Sequence, residues 1–266
     1  MNVYRFEIKN ILWTFMIWTI IILAVEMIFM IGLFPSFKES EDAVMAVFNN
    51  FPSQLLKSIN LEIETFFSFE GFYAFAYIYV GIMSAMMAVS LSIRAFGHEK
   101  KSHCQDFLMT KPITRAHLFN IKIVAVLSAI ICFNIIFVGA NLLLFMKNEA
   151  QFGIDSEFIL LVGAPFLTQL VFLALGMLYA TQVKHIRNYA GPIVSIGLGA
   201  YIITAVVQLI EKEALKVIAP FSYFDPNRIV TEGMYDSRLI VAACVLTFFC
   251  MGKSYINYTK KEIIEA

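Results

Sequence analysis

Long runs nearly free of charge alternate along the chain with short segments that hold almost all of it. A bilayer core about 30 Å thick is crossed by about 20 residues of apolar helix. Six stretches reach that length, at 11–34, 71–93, 123–146, 158–183, 190–210 and 239–258. The sixth is the weakest: its uncharged core covers only 239–252, so Arg238 and Lys253 have to snorkel toward the two interfaces. The pattern predicts an all-α integral membrane protein of six transmembrane helices, a single transmembrane domain over 1–266 with no internal repeat.

The connections carry patterns of their own. Between the first two runs, Val44, Val47, Phe48, Phe51, Leu55 and Ile59 recur at spacings of one apolar helical face, interrupted near Pro52. Two structures fit: a broken amphipathic helix lying on the outer leaflet, or a hydrophobic cap on the helix ends. Before the sixth run, Pro220, Phe221, Ser222, Tyr223, Phe224, Asp225 and Pro226 predict a compact ordered turn.

Composition agrees with a lipid solvent. Hydrophobic residues make up 59% of the chain and charged ones 15%, against about a quarter charged in a soluble domain. The net charge of zero gives no reason to expect a nucleic-acid partner. That zero conceals a segregation. The N-terminus, the loop 94–122, the loop 184–189 and the C-terminal end from Lys253 onward hold 13 basic and five acidic residues, whereas the other three connections hold seven basic and 14 acidic. Positively charged loops resist translocation, so the even helix count places both termini in the cytoplasm.

Cys132, Cys244 and Cys250 lie in apolar runs and Cys104 in the basic loop, which gives no disulfide framework. The first apolar run is too long for a signal-peptide core, contains Glu26 and lacks a small-residue cleavage site, so it reads as a retained helix.

The basic loop is the most informative connection. It contains Arg94, Glu99, Lys100, Lys101, Asp106, Phe107, Leu108, Lys111, Pro112, Thr114, Arg115 and Lys122. A short helix closed by Pro112 could act as a lever, with Phe107 and Leu108 as apolar anchors and the charges fixing register. Here the chain resembles the ABC-2 type transporter permeases, whose corresponding loop has an acidic residue, a Gly-Thr-like step, a leucine-rich helix, Pro-x-Ser/Thr-Arg and a lysine opening the third helix. Glu99, Asp106, Leu108, Pro112, Thr114, Arg115 and Lys122 fall on that pattern, while Ser102 and His103 replace the Gly-Thr step. The segments 52–71 and 221–226 also resemble the family's outer segments.

The resemblance implies a type V exporter-like permease half in the bacterial cytoplasmic membrane. It would pair with a second copy or a related permease and with two cytoplasmic ABC ATPase subunits. The loop 94–122 would be the coupling element, with Glu99, Asp106, Phe107, Leu108, Pro112, Thr114 and Arg115 engaging the ATPase. The closest likeness is to small Gram-positive exporters of antimicrobial or cytolytic peptides, so the implied cargo is amphipathic or hydrophobic. The chain would hold no cofactor and would not itself be an enzyme, since ATP and Mg would sit on the partner.

Gly252, Lys253 and Ser254 imitate the end of a phosphate-binding loop, but Thr247 stands where its first glycine belongs, inside an apolar run. His98, His103, Cys104 and His117 match no zinc spacing. Within the spans, Glu26 is the exceptional residue. A carboxylate at that depth marks a cavity, an ion path or a partner, or else a hydrogen-bonded contact between helices. Asn134 and Asn141 share one face of the third helix and are candidates for a translocation path with Glu26, although such amides also join helices. Gly191, Ser195 and Gly199 form a small-residue stripe on the fifth helix, a candidate packing surface. Two other classes remain: an ion-motive transporter or sodium-extruding ABC permease, and an intramembrane enzyme, for which no catalytic set can be singled out.

The charge segregation makes topology testable. Single cysteines at Ser40, Ser156 and Ser237 are expected to react with a membrane-impermeant thiol reagent outside intact cells, and Cys104 to stay unlabelled. Outside labelling of Cys104 would reverse the orientation.

Overall fold

The computed structural model describes residues 3–59, 61–101, 114–147, 156–210 and 212–260. These residues contain helices and turns and no strand. The helices are α1 (Val3–Met27), α2 (Phe34–Glu39), α3 (Glu41–Phe48), α4 (Ser53–Ser58), α5 (Phe69–Lys101), α6 (Arg115–Lys147), α7 (Ser156–Gln182), α8 (Ala190–Ile210), α9 (Pro226–Glu232) and α10 (Ser237–Lys260). A π-helical segment, Ile28–Leu33, joins α1 to α2 without a break in the rod. Among the described residues six helices are long and apolar enough to cross a membrane.

Several helices outrun their apolar stretches, because backbone leaving the hydrocarbon still satisfies its hydrogen bonds most cheaply within a helix. The first spanning rod covers Val3–Glu39, and α5 continues through Arg94 to Lys101. The loop expected at 94–122 is therefore helical at both roots.

α5 and α7 form the centre. Within their most apolar windows 67% and 61% of residues are buried inside the chain, against 22–33% for the other four, so those four turn most of their surface to lipid or to another chain. Glycine lets the central pair approach. A Cβ on Gly176 of α7 would overlap Ser92 Oγ and come within 3.0 Å of Val89 Cα on α5. On α8 the same role falls to Gly197, where a Cβ would meet the Met86 side chain.

At the acidic end of the bundle, phenylalanines lock the helix tips together. Phe66 lies edge-on to Phe37, Phe48, Phe72 and Phe75, and Phe69 edge-on to Phe145, at centroid distances of 4.9–5.7 Å. Such offset and edge contacts are favoured by the ring quadrupoles. The apolar face expected over 44–59 divides at this cap. Val44 and Phe48 pack on the core beneath, while Val47, Phe51, Leu55 and Ile59 remain exposed. The helix breaks after Phe48 and restarts at Ser53, on either side of Pro52.

The aromatic turn before α10 is built from short 3-10 turns at Glu213–Ile218 and Pro220–Ser222. Tyr223 donates to the Val217 carbonyl at 2.6 Å, and the Asp225 side chain caps α9 by accepting from the Asn227 amide. Gly233 ends α9 at φ 70°, a left-handed position that glycine adopts without strain.

Gly176→Ala is expected to destabilise the chain by about 1–3 kcal/mol through overpacking at the α5–α7 contact. Gly139→Ala, where a Cβ meets nothing within 4 Å, is expected to be neutral or mildly stabilising. Reversible unfolding in mixed micelles checks the ordering.

Candidate functional site

At the basic end, α6 opens with Thr114, whose hydroxyl accepts from the His117 amide at 3.3 Å. Two turns on, Lys122 points into the bundle and is only 1% exposed. Its ammonium donates to Glu7 Oε1 of α1 at 2.8 Å and to the Ala95 carbonyl of α5 at 2.6 Å. It pairs with Glu99 Oε1 at 3.0 Å. Tyr258 of α10 donates to the other oxygen of Glu99 at 3.3 Å. Phe96, Phe119, Tyr255 and Tyr258 cover the cluster with ring contacts of 5.2–6.0 Å. One buried cation thus joins α1, α5 and α6, and through Glu99 reaches α10.

This placement changes how the loop is read. Glu99 faces inward to Lys122, so its carboxylate holds the root of the loop. Thr114 and Arg115 start α6 at the other root. Asp106, Phe107, Leu108 and Pro112 lie outside the described residues. Glu7 and Tyr258 were not singled out from sequence. The available signal for Glu7 was an acidic residue among the bases of the N-terminal segment.

The second polar group lies deep in the span. Glu26 is 1% exposed, and its Oε1 accepts from Asn141 Nδ2 of α6 at 2.9 Å. The Tyr73 hydroxyl of α5 lies beside the same carboxylate, and among the described residues Asn141 Oδ1 is buried without a hydrogen-bond partner. Asn134, on the same face of α6, turns to a different helix and donates to Gln169 Oε1 of α7 at 2.7 Å. Gln169 in turn points its amide at Met87 Sδ of α5, 3.9 Å away. Tyr77 and Thr168 hydrogen-bond at 3.0 Å between α5 and α7. The three path candidates therefore sit inside the packing of one chain, with Asn141 tied to Glu26 and Asn134 tied elsewhere.

Gly191 and Ser195 are exposed on α8 and Gly199 is half-buried, and a Cβ on either glycine meets nothing within 4 Å. The stripe faces away from the chain, while Gly197 makes the internal contact. Gly252, Lys253 and Ser254 lie within α10, where the Ser254 hydroxyl is spent on the Cys250 carbonyl at 2.6 Å. Among the described residues no group of three or more His, Cys, Asp or Glu is placed to hold a metal, and His98 packs edge-on against Phe6.

Compared with family models, curated proteins and solved structures, the chain matches none of them.

Lys122→Met leaves the buried Glu7 and the part-buried Glu99 without their cation, and breaking a buried pair in this way typically costs about 3–5 kcal/mol. The triple change Lys122→Met, Glu7→Gln, Glu99→Gln is expected to recover much of that loss. Detergent-resistance or unfolding assays on the three-residue cycle decide whether the groups act as a unit.

Proposed function

We propose that this chain is the membrane-spanning half of an ATP-driven exporter of the ABC-2 type. The observation that carries the reading is the Lys122 cluster. It clamps both roots of the segment that resembles a coupling loop, at Glu99 and at the start of α6, to the first and last spanning helices. A push on that loop would move α1, α5, α6 and α10 together instead of bending a single connection. The basic end faces the cytoplasm in this reading, where two ATPase subunits hold ATP and Mg. A second permease copy or a related permease completes the path, and the outward stripe on α8 is available for that contact. The cargo is amphipathic or hydrophobic, with an antimicrobial or cytolytic peptide the favoured class, since the spans offer mostly apolar surface.

A second reading, an ion-motive transporter or a sodium-extruding permease, is favoured by one observation. Glu26 is buried beside Asn141 and the Tyr73 hydroxyl and next to a π-helical segment, and such segments are frequent at functional sites.

Replacing Phe107 and Leu108 by alanine removes apolar contact worth about 2 kcal/mol for each well-buried side chain. The expected variant inserts and dimerises normally, but binds a co-expressed ABC ATPase at least tenfold more weakly and loses cargo-stimulated ATP hydrolysis. Normal ATPase affinity and transport in that variant would defeat the exporter reading. Cargo movement driven by an ion gradient in vesicles without ATP would establish the second.

A further inference from the structure

At the basic end, the last turns of α7 and α10 part and leave an open recess of about 330 Å³ lined by Thr181, Gln182, Lys253, Ile256, Asn257 and Lys260. Lys253 and Lys260 stand seven residues apart on α10, which places Lys253 about 10 Å deeper along the helix axis. The Lys253 ammonium lies 6.0 Å from the centre of the Phe249 ring, one turn closer to the middle of the membrane.

Among the described residues neither lysine has a carboxylate within salt-bridge distance, in contrast to Lys122, which has two. Both lysines are exposed at the recess, and basic side chains at the membrane boundary without a counter-ion attract anionic headgroups from the surroundings. The recess supplies further polar groups in Gln182 and Asn257. Toward the membrane centre, α10 continues as an exposed apolar strip of Val241, Val245, Phe248 and Phe249. A charged, polar-lined recess at the membrane boundary that opens onto an apolar strip fits a molecule with an anionic head and hydrocarbon tails.

We propose that the recess between the ends of α7 and α10 seats the phosphate headgroup of an anionic phospholipid from the adjoining leaflet. Lys253 and Lys260 neutralise the phosphate, Gln182 and Asn257 hydrogen-bond the head, and the acyl chains lie along the apolar strip of α10. Basic recesses between spanning helices are suited to such headgroups. A soluble phosphate would satisfy the lysines but leave the strip unused. The site is independent of whether the chain exports anything.

The test uses the full chain purified in a neutral detergent, with lipid binding followed by native mass spectrometry and by the unfolding temperature. Phosphatidylglycerol is expected to be retained and to raise the unfolding temperature, while phosphatidylcholine and glycerol 3-phosphate do neither. Each lysine contributes about fivefold to affinity near an anionic headgroup, so K253Q or K260Q is expected to weaken phosphatidylglycerol about fivefold and the double variant about thirtyfold. The double arginine variant, K253R with K260R, keeps the charge and is expected to keep binding. Equal retention of phosphatidylcholine overturns the proposal. So does stabilisation by glycerol 3-phosphate alone, or unchanged affinity in the double glutamine variant. Should that variant not fold, the headgroup comparison on the unaltered chain and on the arginine variant decides the question.

Discussion

One buried ammonium organises the basic end of this bundle. Lys122 is almost wholly removed from solvent, and it is tolerated there because two carboxylates and a backbone carbonyl from other helices surround it. Such a cluster adds little net stability, since desolvation offsets most of the attraction. Its influence lies in what it forbids. Sliding or rotating α1, α5 or α6 relative to the others would strand a charge, so the helix ends share a single register. The aromatic cover over Glu99 and Lys122 strengthens that constraint by keeping water from replacing a lost partner.

The two ends of the bundle are held by different physics. At the basic end a few directional contacts fix the helices, whereas at the acidic end Phe34, Phe37, Phe66, Phe69, Phe72 and Phe145 interlock through many weak ring contacts. Between them, α5 and α7 touch closely at Gly176, and amide pairs such as Asn134 with Gln169 replace the hydrophobic drive that is absent between helices in lipid.

Much of this was legible in the sequence because the bilayer imposes length and composition rules that act on each segment separately. The six spans, the break at Pro52 and the ordered turn around Tyr223 are all local signals. The inward aim of Glu99 was not legible, because an acidic residue in a basic loop looks the same whether it faces a partner protein or a lysine 23 residues later. Glu26 was visible as an anomaly, but only its partner on α6, 115 residues away, shows that the carboxylate is held within one chain. The four-residue spacing of Gly191, Ser195 and Gly199 on α8 is visible in the sequence, yet spacing cannot say which glycine meets a neighbour. That role belongs to Gly197, midway between two members of the series.

The π-helical segment reconciles two demands on the first rod. Ile22, Glu26, Met30 and Phe34 are all buried, a strict four-residue series. In an α-helix of 3.6 residues per turn, each such step overshoots a full rotation by about 40°, so the last member would have swung well away from the first. The wider turn over Ile28–Leu33 takes part of that overshoot back, shown by the Phe34 amide bonding to Phe29 five residues earlier. The rod therefore works like a shaft with a phase adjuster: the angular setting of Glu26 against α6 and that of Phe34 within the aromatic cap are chosen separately. A change in one need not propagate as a twist into the other.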